Sequence, residues 1–358
     1  MLKRALSLGL ITTTFLLAGC GDGDSTGGTT STSGSGTSGS GTSGSGGEGG
    51  SGTSGSGGAG GSGTSGSGGA GGSGSGGEGG GVMNVDPLVG AGTVEMVQAN
   101  FMFTEGPQWN PATKTLLFTD IPASRIYEHT PGAGITVFRE PTANTNGLAL
   151  DPAGLLVACE HSGRRVARTL ANGTIVPVAD AFEGKKLNSP NDVIVRKDGS
   201  VYFTDPPYGL PDPGQSELGF FGVFRVAPGG KVEAIAKDMK RPNGIALSPD
   251  ENTLYVVDTE NGELRVYPVN ADGSVGASSK LATTSPNPDG MAVDAKGNLF
   301  ITTKVGVEVY SPTGKLYGAI PVPEQPSNCA FGGADRKTLY ITARTGLYRV
   351  TLQNPGMY

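Results

Sequence analysis

Cysteine, tryptophan and clustered basic residues are scarce in this chain of 358 residues. It contains three cysteines and one tryptophan, and its net charge is −6. The cysteine spacing is not that of a zinc site. No basic run occurs beyond the N-terminus, so we expect no nucleic-acid partner. No apolar run of about 18 residues follows residue 20, so we expect no membrane-spanning helix in the mature chain.

Three further patterns are missing. After residue 83 no apolar stripe recurs at helical period, which argues against a helical fold. No G-x-S-x-G motif stands in a strand–turn–helix context, which argues against a Ser-His-Asp hydrolase. The Gly-rich tract is not flanked by a strand and a helix, so it is not a phosphate-binding loop.

The first 20 residues read as a targeting signal. Lys3 and Arg4 precede a short apolar stretch that ends in LAGC at Cys20, the layout of a secretory signal. The LAGC run also resembles the lipobox of bacterial lipoproteins, and that resemblance implies lipidation of Cys20. We therefore predict an exported protein, anchored by lipid to a bacterial membrane, in the periplasm or at the cell surface. A plain secretory signal is the alternative.

Residues 21–82 form a Gly/Ser/Thr-rich tract. Of the 63 glycines, 31 fall in residues 21–81. Such a tract cannot bury apolar area, so we predict a disordered linker with a reach of about 40 Å. Residues 83–358 have ordinary composition and are predicted to be the folded domain. There Cys159 and Cys329 either pair with each other or remain buried free thiols.

A pattern recurs six times from residue 100 onward, at intervals of 39 to 52 residues. Each copy has a polar residue, a short apolar run, a turn and a second apolar run, which is typical of a β-hairpin. The copies begin at Glu105, Asn146, Asn191, Asn243, Asp289 and Asn328. Repeats of this length with four strands each predict an all-β fold, a six-bladed β-propeller, with a β-sandwich pair or a solenoid as alternatives.

The repeated polar residue is expected at the same depth in every blade, facing the propeller axis. Asn and Asp also cap turns before strands, but Glu105 does not fit that explanation. Side-chain oxygens around one axis, with two acids among them, suit a hard cation such as Ca²⁺ or Mg²⁺, and less clearly Mn²⁺ or Zn²⁺. Acids that end the second runs are expected mainly to support loops by hydrogen bonds: Asp120, Glu160, Asp205 and Asp258.

Several motifs in their order and spacing resemble the SMP-30/gluconolactonase family of six-bladed propellers, which includes luciferin-regenerating enzyme. The likeness is greatest to the bacterial gluconolactonase branch and spans about residues 98–352. The motifs are EGPQW from Glu105, ACEH up to His161, LNSPND around Asn191, FTDPPYG up to Gly209, RPNG around Asn243 and PDG around Asp289.

The resemblance implies a lactone hydrolase that opens a sugar lactone by attack of water. It implies one divalent cation, typically Ca²⁺, held by Glu105, Asn191, Asn243 and Asp289. Asp289 would also accept and donate the proton, and Asn191 would face the substrate. Animal members carry an arginine where this chain has Ser189, so that sugar contact does not transfer.

Three more residues are site candidates, and other functions stay open. His161 would titrate near neutral pH and is a candidate catalytic residue. Asn146 and Tyr208 are candidate substrate contacts. The alternatives are a related metal-dependent esterase or phosphotriesterase on the same site, and a non-catalytic binding propeller at the cell surface. We expect a monomer that touches the membrane only through its N-terminal lipid.

Overall fold

The computed structural model describes residues 86–357. The predicted signal peptide, the lipid attachment site at Cys20 and the linker over residues 21–82 lie outside these residues and stay predictions. Among residues 86–357, no helix has the length and apolar character needed to cross a membrane.

The described chain is built almost entirely of short β-strands. The first fifteen strands are β1 (Glu95–Gln98), β2 (Thr104–Asn110), β3 (Thr115–Asp120), β4 (Arg125–Thr130), β5 (Gly134–Arg139), β6 (Thr145–Leu150), β7 (Leu156–Glu160), β8 (Arg165–Thr169), β9 (Ile175–Ala179), β10 (Ala181–Phe182), β11 (Lys185–Lys186), β12 (Val193–Val195), β13 (Val201–Asp205), β14 (Phe221–Val226) and β15 (Val232–Met239). The remaining strands are β16 (Pro242–Leu247), β17 (Thr253–Asp258), β18 (Glu263–Pro268), β19 (Ser279–Thr283), β20 (Met291–Val293), β21 (Leu299–Thr303), β22 (Gly306–Tyr310), β23 (Leu316–Ile320), β24 (Pro326–Gly332), β25 (Thr338–Ala343) and β26 (Gly346–Thr351).

These strands form six four-stranded antiparallel sheets arranged as blades. Five blades are continuous in sequence: β2–β5, β6–β9, β12–β15, β16–β19 and β20–β23. The sixth contains β24, β25 and β26 and is completed by β1, which pairs with β26. The first strands of successive blades contact one another in a closed ring, β2, β6, β12, β16, β20, β24 and again β2. The predicted all-β, six-bladed propeller is confirmed.

Two small elements interrupt this pattern. Strands β10 and β11 form a separate hairpin between the second and third blades. A 3₁₀ helix, Pro213–Gln215, lies in the long β13–β14 connection, and Asp212 caps it by accepting a hydrogen bond from the backbone N–H of Gly214 at 2.8 Å.

The second strand of each blade is buried on both faces. In β3, Leu116 and Phe118 pack toward the sixth blade, whereas Leu117 packs toward the second. Because side chains alternate between the faces of a strand, one apolar run supplies two neighbouring interfaces. This burial explains why the second run of each repeat is continuously apolar.

The apolar core is divided into six clusters, one at each contact between neighbouring blades. Cys159 belongs to the cluster between the second and third blades, and Cys329 to the one between the fifth and sixth. Both are free, buried thiols, so of the two alternatives for these cysteines the structure shows the unpaired one.

Candidate active site

The innermost strands are irregular where the repeated polar residue occurs. The pairing register shifts at this point in four blades, for example between Glu105 and Gln108 in β2 and between Pro242 and Ile245 in β16. In the other two blades, Asn191 and Asp289 lie just before the short strands β12 and β20. A bulge of this kind bends a strand and redirects a side chain, here toward the propeller axis.

Glycine follows the polar residue in four repeats because neighbouring blades approach too closely for a side chain. A Cβ on Gly106 would lie 2.1 Å from the carbonyl oxygen of Asn146, and one on Gly244 would lie 2.2 Å from that of Asp289. The backbone N–H of Gly244 instead donates a hydrogen bond to the Asp289 carbonyl at 2.9 Å. These contacts join consecutive blades at the level of the site.

An open pocket of about 400 Å³ lies at this level, within the usual range for small-molecule sites. It is lined by every predicted site residue of the folded domain: Glu105, Asn146, His161, Asn191, Tyr208, Asn243 and Asp289. The structure therefore brings together side chains that are up to 184 residues apart, the separation of Glu105 from Asp289.

Three acidic side chains lie in or next to this pocket: Glu105 and Asp289 line it, and Asp192 lies beside it. Burial raises the pKa of Glu105 well above its usual range, and the nearby charges of Asp289 and Asp192 raise it further. Burial, together with the charge of Asp192, raises the pKa of Asp289 to about 7. None of these three carboxylates takes part in a salt bridge within residues 86–357.

The donor set fits a hard cation only if amide oxygens take part. In the described part of the chain, no group of three or more His, Cys, Asp or Glu side chains could hold a metal ion. The amide nitrogen of Asn243 donates to Thr259 Oγ1 at 3.1 Å and Tyr208 Oη at 3.4 Å, which leaves its carbonyl oxygen as an acceptor. Two uncompensated carboxylates with amide oxygens beside them suit a cation that prefers oxygen ligands.

Asn328 does not share the pocket with the other five repeated residues. It lines a narrow cavity of about 70 Å³ along the inner strands, together with Asp192. Its amide nitrogen donates to Glu105 Oε2 at 3.0 Å and lies 3.4 Å from Asp192 Oδ2. The expectation of six equivalent side chains is therefore wrong at Asn328, which holds Glu105 in place from below.

Acids at the ends of the second strands support the loops around the pocket, as predicted from the repeats. Asp120 accepts hydrogen bonds from the backbone N–H groups of Met102 and Phe103, at 2.9 and 3.1 Å. Asp258 accepts from Lys240 and Arg241 in the same way, at 2.8 and 3.1 Å. In both blades the carboxylate fixes the segment that leads into the innermost strand.

Ser189 is a structural residue in this site. It is fully buried, its hydroxyl donates to the Pro206 carbonyl at 2.6 Å, and it accepts from the Gly209 N–H at 2.9 Å. It thereby holds the loop that carries Tyr208 over the pocket. It does not line the pocket itself.

Comparison with known proteins identifies the relatives of this site. Residues 103–345 match the family model described as "SMP-30/Gluconolactonase/LRE-like region". The chain belongs to this SMP-30/gluconolactonase/LRE-like family. The resemblance predicted from the motifs is confirmed.

Individual relatives align with most of the folded part of this chain. A gluconolactonase of Zymomonas mobilis is 33% identical over 306 residues, which are 76% of this chain and 85% of the relative. A 6-deoxy-6-sulfogluconolactonase of Pseudomonas putida is 35% identical over 255 residues, 67% of this chain and 82% of the relative. The solved structure of a Xanthomonas campestris gluconolactonase is 36% identical with a TM-score of 0.69, covering 75% of this chain and 92% of that chain.

His161 lies in the pocket of this SMP-30/gluconolactonase/LRE-like protein as a neutral group. Its side chain is nearly inaccessible to solvent, and burial lowers its pKa to about 4. Its Nε2 atom is 3.4 Å from Asn146 Nδ2. Because the amide nitrogen only donates, Nε2 accepts and the ring proton lies on Nδ1. His161 therefore orients Asn146 at neutral pH.

The buried neutral imidazole predicts a pH-dependent contribution to stability. Since the folded-state pKa lies near 4 and the usual value is 6.5, the unfolded chain binds the extra proton first as pH falls. Relative to a His161→Gln variant, the wild-type protein should lose about 2–3 kcal/mol of unfolding free energy between pH 7 and pH 4. Urea unfolding of both proteins between pH 7 and pH 4 measures this loss. If the unfolding free energies of the two proteins change with pH in the same way, the prediction is wrong.

Two features of the candidate site were missed from the sequence. Asp192 stands where four other repeats have glycine. This departure from the repeat could have pointed to Asp192 as a third acidic residue of the site. Arg344 lines the pocket from the last blade, but no motif pointed to it, because its position depends on how the ring closes.

Proposed function

We propose that this protein is a divalent-cation-dependent lactone hydrolase of the gluconolactonase type that opens a sugar lactone. One observation carries the proposal. Glu105 and Asp289, which have no salt-bridge partner among residues 86–357, line a single pocket with Asn191 and Asn243. The gluconolactonase names of relatives above 30% identity support the same reaction.

The cation-binding residues in this proposal are Glu105, Asn191, Asn243 and Asp289, with Ca²⁺ as the first candidate. When bound, a divalent cation would polarise the lactone carbonyl and favour the negative charge that develops on its oxygen. Glu105 is kept in position by Asn328, and Asn243 by its hydrogen bonds to Thr259 and Tyr208. The protein thus orients these two cation-binding side chains before any substrate binds.

Asp289 is the proposed proton carrier. Its carboxylate is proposed to accept a proton from the attacking water and return it to the departing alkoxide. Burial and the charge of Asp192 raise its pKa to about 7 before a cation binds, and a bound cation would lower it. Asn146, whose Oδ1 atom is buried without a hydrogen-bond partner, is proposed to bind a substrate hydroxyl. Tyr208, which is 40% exposed at the pocket, is proposed to pack against the sugar ring.

The proposed function is tested on the purified protein after treatment with a chelator. Hydrolysis of aldonolactones, acyl lactones and a phosphotriester is followed before and after adding back Ca²⁺, Mg²⁺, Mn²⁺ or Zn²⁺. We expect aldonolactone hydrolysis that depends on the added cation. Turnover of the phosphotriester alone would instead support the esterase alternative, and turnover of no compound would support a binding propeller.

We also propose that the protein is exported and anchored through a lipid on Cys20, with residues 21–82 as a flexible tether. The support is the LAGC sequence after a short apolar stretch and the Gly/Ser-rich composition. A Cys20→Ser variant should move from the membrane fraction to the soluble fraction of a bacterial host and keep its specific activity. Retention of that variant in the membrane fraction would contradict a lipid anchor at Cys20.

A further inference from the structure

Arg344 places a positive charge at the mouth of the pocket. It lies in the turn between β25 and β26 and lines the same pocket as Glu105 and Asp289. Arg344 is exposed, whereas Glu105 is buried. The guanidinium is therefore nearer to solvent than the proposed site of lactone opening.

The backbone of Arg344 is held in an unusual conformation. Its φ is 45°, in the left-handed region that residues other than glycine adopt rarely. Its carbonyl accepts a hydrogen bond from the backbone N–H of Thr104 at 2.8 Å. Thr104 immediately precedes Glu105, so this bond fixes Arg344 relative to the acidic floor of the pocket.

The side chain of Arg344 is oriented by two other residues of the pocket wall. The guanidinium carbon is 5.8 Å from the centroid of the Phe103 ring, a cation–π distance. One of its nitrogens, Nη2, donates to Gln325 Oε1 at 3.2 Å. Because these contacts restrict the side chain before a ligand arrives, less entropy is lost on binding.

The charge of Arg344 is available to a ligand. Among residues 86–357, no carboxylate oxygen lies within the 4.0 Å salt-bridge distance of its guanidinium. The other arginine of the pocket, Arg241, is different, because its Nε is 3.2 Å from Glu260 Oε2. The charge of Arg344 lowers the pKa of Asp289 inside the pocket and also that of Glu324, whose Oε2 accepts from the backbone N–H of Thr345 at 2.9 Å.

We propose that Arg344 is a specificity-determining residue that binds an anionic group at the end of the lactone remote from its carbonyl. The preferred substrate is then an acidic sugar lactone that carries a carboxylate, sulfonate or phosphate. This inference rests on the proposed lactone hydrolysis. A guanidinium with free N–H donors matches all three anions by paired hydrogen bonds, so the experiment compares them.

The test compares a neutral aldonolactone with the same lactone carrying a carboxylate, a sulfonate or a phosphate on its terminal carbon. In the wild-type protein we expect kcat/KM for at least one charged lactone to exceed that of the neutral lactone by about 10-fold at low salt. Arg344→Gln should lower this value about 10- to 100-fold, mainly through KM, as for loss of a hydrogen bond to a charged group. The decisive quantity is the ratio of kcat/KM for the charged lactone to kcat/KM for the neutral one, which should fall about 10-fold or more, because any effect of the lost charge on Asp289 acts on both lactones alike.

Two further variants sharpen the comparison. Arg344→Asn suits the left-handed backbone, so it removes the guanidinium with little strain and should behave like Arg344→Gln. Arg349→Gln removes the same charge from the outer part of the last blade, where Arg349 Nη2 is 2.9 Å from Glu95 Oε2. It should leave the preference for the charged lactone unchanged.

Each outcome has a distinct meaning. Equal losses on charged and neutral lactones in both Arg344 variants would place Arg344 at the reacting carbonyl and overturn the proposal. Wild-type hydrolysis of neutral lactones without any preference for a charged one would overturn it too, while leaving the proposed function intact. Failure of the wild-type protein to open any lactone would instead remove the proposed function itself.

Discussion

We expect Asp289→Asn to lower kcat for lactone opening by about 10³-fold, the size of effect associated with a positioned acid or base. The amide preserves the shape of the side chain but cannot accept and return a proton. The pKa of Asp289 is raised to about 7 by burial first and then by the charge of Asp192. In the proposed reaction this carboxyl group carries the proton, so the variant lacks the carrier.

Steady-state kinetics at a saturating cation concentration check this expectation. Asp335→Asn is a matched control, because Asp335 lies exposed in the β24–β25 hairpin and only accepts a hydrogen bond from the backbone N–H of Lys337. It should retain wild-type kcat. If Asp289→Asn folds, binds the cation and turns over at the wild-type rate, the proton carrier must be another group.

We expect Glu105→Gln to raise stability in the absence of a cation and to lose most of the stabilisation that a cation gives. In the wild-type protein, Glu105 is buried close to the charges of Asp289 and Asp192, which raise its pKa. A carboxyl group whose pKa is raised on folding costs stability increasingly as pH rises from its unfolded value toward its folded value, and the cost is complete above the folded value. In chelator at neutral pH, Glu105→Gln should therefore be more stable than the wild-type protein.

Addition of the cation should invert this order. At a free concentration of 100 times the dissociation constant, binding to the folded wild-type protein adds about 3 kcal/mol, which corresponds to a rise in Tm of about 5–10 °C. Glu105→Gln should show little of this rise. Thermal unfolding at increasing cation concentrations measures the rise in Tm of the wild-type protein and of Glu105→Gln. The control is Glu95→Gln, on the exposed strand β1. An equal rise in all three proteins would contradict a ligand role for Glu105.

The architecture was predictable because each repeat carries its own local information. Runs such as TLLFTD in β3 are apolar at consecutive positions because both faces of the strand are buried. The polar residue and the glycine after it recur because each blade bulges and approaches its neighbour at that point. Equivalent local patterns at regular intervals are sufficient to predict a ring of equivalent blades.

The details that break the repeat were not predictable in the same way. Asn328 follows the pattern in sequence, yet it lies beneath the pocket, because the last blade meets the first one there. Strand β1 belongs to no repeat, and only ring closure shows that it completes the sixth blade. Arg344 enters the pocket through a turn whose conformation depends on contacts with Thr104, 240 residues away. Such long-range contacts leave no periodic signal in the sequence.

The junction between the first and last blades runs through the proposed active site. Ser327 Oγ donates to the Thr104 carbonyl at 2.7 Å, and the neighbouring Asn328 amide holds Glu105 Oε2 at 3.0 Å. Glu105, near the start of the folded chain, is thus held in place by residues near its end. If the last blade loosens, Glu105 loses its support while five blades are still folded. We therefore expect local opening of the last blade to abolish activity before the whole protein unfolds.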